Sequence, residues 1–173
     1  MIPIGAPAPN FSLPDTDGAL HEPGAAPATL VIFTCNHCPY ALAWHDRTIA
    51  LARDYADRGV RVLAINSNDS HRYPRDAPEQ MRARVQAGEF DSVPYLRDES
   101  QEVARAYDAR TTPDLFLLDP DLLLRYRGAP DGDCDDPSQN ARFVRDALDA
   151  LLAGRDPECP ETAPVGCSIK WRP

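Results

Sequence analysis

Residues 29 to 35, TLVIFTC, form a short apolar run without alternation, the pattern of a strand buried on both faces. The spacing then becomes helical through Leu42, Ile49, Ala52 and Tyr55, and Gly59 supplies a stop. VRVLAINSN, residues 60 to 68, repeats the buried-strand pattern, and DSHRYPRDAP is a polar loop before a helix that starts near Glu79. This is a βαβα beginning.

PYLRD predicts a short strand. SQEVARAYDA predicts a helix with Ser100 as N-cap and Val103, Ala104 and Tyr107 on its apolar face. DLFLLD and LLLRYRG predict two strands paired around the turn Asp119-Pro120-Asp121. Asp136 and Pro137 read as N-cap and first residue of a helix whose face is Phe143, Val144, Ala147, Leu148, Leu151 and Leu152, ending at Gly154. Before the first strand, GAPAPNFSLPDTDG is a Pro-punctuated extended segment leading to a hairpin ahead of His21; after Gly154 the chain is an extended tail. No internal repeat or Gly/Ser-rich linker divides the chain.

At 173 residues, 43% hydrophobic and 26% charged, the chain has the composition of one compact globular domain. No apolar run approaches the ~18 residues of a membrane span, and the first residues lack a signal-peptide pattern, so the expected location is cytoplasmic. A net charge of -9 without a basic cluster argues against nucleic-acid and anionic-membrane partners.

Five cysteines in such a chain point to catalysis or metal binding before a disulfide framework, because cytosolic thiol buffers keep structural bridges reduced. Cys35 and Cys38 are three apart where a strand gives way to a helix. Cys35 then sits at the helix N-terminus, where unpaired N–H groups and the helix dipole favour a thiolate. His37 adds a positive charge or a hydrogen bond, and thiols in Cys-X-X-Cys settings fall from ~8.5 into the range ~3.5 to 7.5. Cys35 is therefore the expected exposed nucleophile, and Cys38, a helical turn behind it, the resolving thiol. Thr111-Thr112-Pro113, just before DLFLLD, is a second element, since a cis-proline there would bring its flanking backbone against the cysteines.

The strand-CxxC-helix order, the Thr-Pro before a hairpin and the last helix resemble the thioredoxin fold from about residue 5 to residue 154. GAPAPNFSLPDTDG, FTCNHCPY, TTPDLFLLD and the ending GCSIKW resemble the redoxin branch, in particular peroxiredoxin-like proteins with a thioredoxin-type CxxC. The resemblance implies an α/β thioredoxin-like domain over residues 1–154, with a central mixed sheet flanked by helices and an N-terminal hairpin. An extended tail, residues 155–173, is expected to pack on the same domain. It also implies a thiol-disulfide oxidoreductase with Cys35 as nucleophile, Cys38 as resolving thiol and Pro113 as the cis-proline, Thr112 lying beside the sulfurs. Its partners would be protein or small-molecule disulfides and an electron-donor reductase; no cofactor or metal is expected.

Two departures from the family pattern matter. Where thioredoxin has a buried acid on the strand before its site this chain has Thr29, which leaves the general base for Cys38 unassigned. The Thr and Arg that serve a peroxidatic cysteine are missing from their expected positions, Arg110 being the nearest substitute, so peroxidase activity is expected to be weak. A metal-binding or metal-delivery module using Cys35, Cys38 and His37, with or without the tail cysteines, is the rival from another class. Cys159 and Cys167, eight apart, either form a structural bridge worth roughly 2 to 3 kcal/mol or act as a second dithiol exchanging with Cys35 and Cys38. His45 and His71 carry no visible partner, Cys134 reads as incidental, and the loop DGDCDD, residues 131 to 136, fails the EF-hand pattern and reads as a solvated loop that caps the next helix.

Overall fold

The computed structural model describes residues 1–24 and 26–173. Five strands make the central sheet: β3 (Thr29–Phe33), β4 (Arg61–Asn66), β5 (Tyr95–Arg97), β7 (Asp114–Leu118) and β8 (Leu124–Gly128), in the order β5-β4-β3-β7-β8. β3, β4 and β5 run parallel, while β7 lies antiparallel to β3 and β8 antiparallel to β7. Two-residue pairs flank the sheet: β1 (Leu13–Pro14) with β2 (Leu20–His21), and β6 (Thr111–Thr112) with β9 (Cys167–Ser168). The helices are α1 (Pro39–Asp54), α2 (Pro78–Gln86), α3 (Glu102–Tyr107) and α4 (Arg142–Leu152). This is the mixed α/β architecture of the thioredoxin-like fold. Among the described residues no helix is long and apolar enough to cross a membrane.

The unalternating strands are explained by burial on both faces. One face carries Leu30, Ile32, Val62, Ala64, Leu115 and Leu117 and is covered by Leu51 of α1, Met81 of α2 and Val144 and Leu148 of α4. The other carries Val31, Phe33, Leu63, Ile65, Phe116 and Leu118 and is covered by Ala104 and Tyr107 of α3, with Phe11 and Ile169 from the two ends of the chain. Because every second residue faces one layer, both faces of β3 and β7 must be apolar, so helical or strand periodicity disappears from their sequence.

Three predicted boundaries shift, two of them because a buried carboxylate takes an N–H group at the start of a helix. Ser100 does not occupy the N-cap of α3: Gln101 does, with φ 64, and the Asp98 carboxylate accepts from the Ala104 N–H at 3.0 Å. Asp136 caps only a short 3-10 turn, Pro137–Gln139, its Oδ1 accepting from Ser138 N at 3.0 Å. Asn140 and Ala141 then adopt left-handed conformations and α4 starts at Arg142. Buried Asp131 imposes that break, since its Oδ2 accepts from Ala141 N at 2.8 Å and from the Arg47 guanidinium at 2.8 Å, while Oδ1 accepts from Trp44 Nε1 at 2.7 Å. The acidic loop is thus tied to α1 rather than merely solvated: the carbonyls of Asp133, Cys134 and Asp136 also accept from Arg47. In the strand after the turn, Leu122 has φ 60 and regular pairing begins only at Leu124.

Asp114 opens β7 fully buried, and burial pushes its carboxyl up to about 6 against the lowering effects of the Arg110 amide and the Arg127 charge. A folded value above the unfolded 3.8 means stability that is fully present below that value and lost as pH rises through about 6. Asp114→Asn is therefore expected to be more stable than the parent at pH 8, by about 1 to 3 kcal/mol, with the two converging toward pH 4. Urea denaturation at both pH values checks this; a parent that is the more stable at pH 8 would mean that Arg127 holds the charged form.

Candidate functional site

β3 ends at Phe33, Thr34 N donates to Ile65 O at 2.8 Å, and the chain turns into α1 with Cys38 as N-cap and Pro39 at its first position. Proline suits that position because its missing N–H is one that the first turn leaves unpaired. The turn places both sulfurs in the interior: Cys35 is 1% exposed and Cys38 0%. This corrects the expectation of an exposed Cys35. Cys167, from the tail strand β9, packs against the small cluster that Cys35, Cys38 and Ala41 form.

The Thr112-Pro113 peptide is cis, and Thr112 meets both sulfurs. Its hydroxyl lies 3.3 Å from Cys35 Sγ, and its carbonyl oxygen accepts from the Cys38 thiol at 3.0 Å. The Cys38 N–H also donates to Cys35 Sγ at 3.3 Å. The two thiols share a hydrogen bond, so the pair releases one proton readily and holds the second. With the charge on Cys38, that bond draws Cys38 down to about 4 and, together with burial and the Asp76 charge, pushes Cys35 up. The fixed groups around the sulfurs favour the other placement. Cys35 faces an N–H and a hydroxyl, both able to donate to an anion; Cys38, which also has the Ala41 N–H near it, is the one sulfur set against a carbonyl, a contact that only a protonated thiol can satisfy.

Beneath the motif lies Asp76, 0% exposed, which sequence reasoning placed in an undifferentiated polar loop. Its Oδ1 accepts from Asn36 N at 2.6 Å and Asn66 Nδ2 at 3.1 Å; its Oδ2 accepts from Asn68 Nδ2 at 2.9 Å and lies 2.6 Å from His37 Nδ1. Asn36 Oδ1 in turn accepts from Tyr95 Oη at 2.8 Å and from the Arg84 guanidinium at 2.9 Å. The two residues between the cysteines are thereby held from below, and His37 stacks flat on Tyr73 with ring centroids 5.4 Å apart. His37 thus answers first to a buried carboxylate and only through it to the sulfurs. No local signal marked Asp76, because the groups it contacts come from two stretches of chain, 36–37 and 66–68.

Ligand atoms of Cys35, His37 and Asp76 lie within 4.8 Å of one another, the grouping that a metal reading would use. Asp76 fits that use poorly, since both of its oxygens already accept from buried amide donors. Arg110 does not reach the sulfurs: its guanidinium is half exposed and pairs with Asp108 at 3.1 Å. Thr29 is buried in β3. His45 is packed in α1 with Nε2 2.7 Å from the Glu89 carbonyl, burial holding it below the usual imidazole range, while His71 is exposed. The tail cysteines are both free thiols and take different neighbours: Cys159 is exposed beside Phe143 and Ala147 of α4, and Cys167 lies at the paired cysteines.

Residues 4–127 match the AhpC/TSA family. A crystal structure of an uncharacterised conserved protein from Geobacillus kaustophilus is similar to 100% of this chain, covering 94% of its own, with 42% identity and a TM-score of 0.89. A proposed thiol:disulfide interchange protein, DsbE, from Chlorobium tepidum shares the fold, at 19% identity over 87% of this chain and 99% of its own, with a TM-score of 0.69. Methylamine utilization protein MauD of Methylorubrum extorquens is 28% identical over 129 residues, 72% of this chain; the match spans 57% of that protein's length.

The donor arrangement predicts that one thiol of the reduced protein titrates well below ~8.5, and that this titration, followed by thiolate ultraviolet absorbance, survives Cys38→Ser but not Cys35→Ser. Thr112→Val, which removes the hydroxyl donor, is expected to raise that pKa by about one unit, or about 1.4 kcal/mol. Survival in Cys35→Ser instead would put the charge on Cys38.

Proposed function

Because the chain belongs to the AhpC/TSA family, we propose that it is a thiol-disulfide oxidoreductase that reduces disulfides through Cys35 and Cys38. The carrying observation is the contact of one residue, Thr112, with both sulfurs, hydroxyl to Cys35 and carbonyl to Cys38. It supports an unequal pair, one sulfur prepared as an anion and the other kept as a thiol. In this reading the Cys35 thiolate attacks a sulfur of the partner's disulfide. A mixed disulfide forms and the partner's other sulfur leaves as a thiolate that takes up a proton. Cys38 then gives up its proton and attacks Cys35 Sγ, the partner's second sulfur departs, and the Cys35–Cys38 disulfide holds the oxidation. The partner gains two electrons and the pair loses two.

The Thr112 carbonyl has a second use here. It keeps the Cys38 thiol beside Cys35 while the mixed disulfide exists, so resolution is intramolecular and fast relative to attack by an outside thiol. Asp76 and His37 act as positioning residues, holding the turn that sets the spacing of the sulfurs. Protein or small-molecule disulfides in the cytoplasm are the proposed substrates, with a separate dithiol reductase as electron donor.

A peroxidase needs, besides a thiolate, a fixed donor for the leaving oxygen. Arg110 is engaged elsewhere, and Arg84, which reaches the motif, is occupied by Asn36 and Glu89. Peroxide is therefore expected to oxidise Cys35 only at about the rate of a free thiol of equal pKa, orders of magnitude below disulfide exchange; stopped-flow measurement of both reactions compares them. The direct test of the proposal is insulin reduction with dithiothreitol as donor. Wild type is expected to accelerate it, Cys35→Ser to abolish the acceleration, and Cys38→Ser to accumulate a mixed disulfide at Cys35. A Cys35→Ser variant as active as wild type would sink it.

A further inference from the structure

The pair is closely covered, with Cys35 at 1% and Cys38 at 0% exposure, and Cys167 at its edge is the more open thiol. It is partly exposed, it packs against the cluster of Cys35, Cys38 and Ala41, and it is held there by the β6–β9 bridge that sets Cys167 opposite Thr112. The Thr112 carbonyl that accepts from Cys38 thus belongs to the residue whose backbone pairs with Cys167. The approach is close enough to require glycine beside it, since a Cβ on Gly166 would collide with the Thr112 carbonyl oxygen. Ile169 N donates to Arg110 O at 3.1 Å and Lys170 N to Asn68 Oδ1 at 2.8 Å, so the strand is anchored beyond the cysteine as well. This segment lies outside residues 4–127, which match the family.

We propose that Cys167 is a third redox thiol, which exchanges with Cys38 and carries electrons between the buried pair and an external dithiol. The proposal rests on the reading of Cys35 and Cys38 as a redox pair. In the oxidised protein the Cys167 thiolate attacks Cys38 Sγ. The Cys35–Cys38 bond breaks, a Cys38–Cys167 bond forms, and Cys35 leaves as a thiolate, with no net gain or loss of electrons and the Cys167 proton passing to solvent. An external dithiol then attacks the partly exposed Cys167 Sγ, Cys38 departs as a thiolate that takes up a proton, and the second thiol of the donor displaces Cys167. The dithiol is oxidised by two electrons and the site is reduced.

Burial first of all pushes the Cys167 thiol up and Lys170 draws it the other way, so Cys167 rests as a protonated thiol and gives up its proton as it attacks. Cys159, exposed beside α4, has no part in this exchange.

The test is disulfide mapping by tandem mass spectrometry after equilibration with glutathione disulfide and acid quenching. Wild type is expected to give two linkages, Cys35–Cys38 and Cys38–Cys167, and Cys35→Ser to give Cys38–Cys167 alone. Gly166→Ala, which displaces the strand without removing a thiol, is expected to lower the Cys38–Cys167 linkage at least tenfold while keeping Cys35–Cys38. If Cys35→Ser yields only glutathione adducts at Cys38 while wild type still forms Cys35–Cys38, the third-thiol proposal is overturned and the oxidoreductase reading stands. If wild type forms neither linkage, both are overturned.

Discussion

The site depends on a charge that has been removed from water. Asp76 is entirely buried, and an isolated carboxylate in that position would cost several kcal/mol. Its four contacts offset that cost, and each one fixes something else. Asn36 N and His37 Nδ1 set the turn between the cysteines, while Asn66 and Asn68 bind the end of β4 and the loop after it. A deletion anywhere in this set leaves a buried acceptor or donor unpaired, which makes the network cooperative rather than a sum of small bonds. The geometry of the sulfurs follows from it, because the Asn36-His37 turn determines where Cys38 begins α1.

On that rigid turn, Thr112 introduces the difference between two chemically identical side chains. A hydroxyl and an N–H at Cys35 and a carbonyl at Cys38 bias where one shared proton resides, without any basic residue touching either sulfur. The negative charge of Asp76 opposes a thiolate nearby. The arrangement couples to the tail, since the same Thr112 backbone pairs with β9. Stability and chemistry are therefore joined through one residue: whatever loosens the β6–β9 pairing also alters the acceptor on Cys38.

Some of this was legible from the chain alone. Strands β3, β4 and β7 announced themselves as unalternating β-rich runs because burial on both faces favours apolar residues throughout, and the Cys35-to-Cys38 spacing at a strand-to-helix junction pointed to thiol chemistry. Thr112-Pro113 was recognisable by its place before β7. These are local properties, set by a residue type and its neighbours within a few positions. What the tertiary structure decided is non-local. Asp76 looked like one acid among several in a polar loop, since its role exists only where Asn36, Asn66 and Asn68 meet. Cys35 was expected at the surface, but covering by other segments, which no window of sequence contains, buries it. Asp131 and Asp98 moved the starts of α4 and α3 because a buried carboxylate takes the N–H groups within its reach, wherever propensity would have begun the helix. The eight-residue spacing of Cys159 and Cys167 suggested a pair, yet their neighbours are α4 for one and Cys38 for the other. Sequence spacing constrains which residues can meet, whereas the packing of the tail against Thr112 determines which ones do.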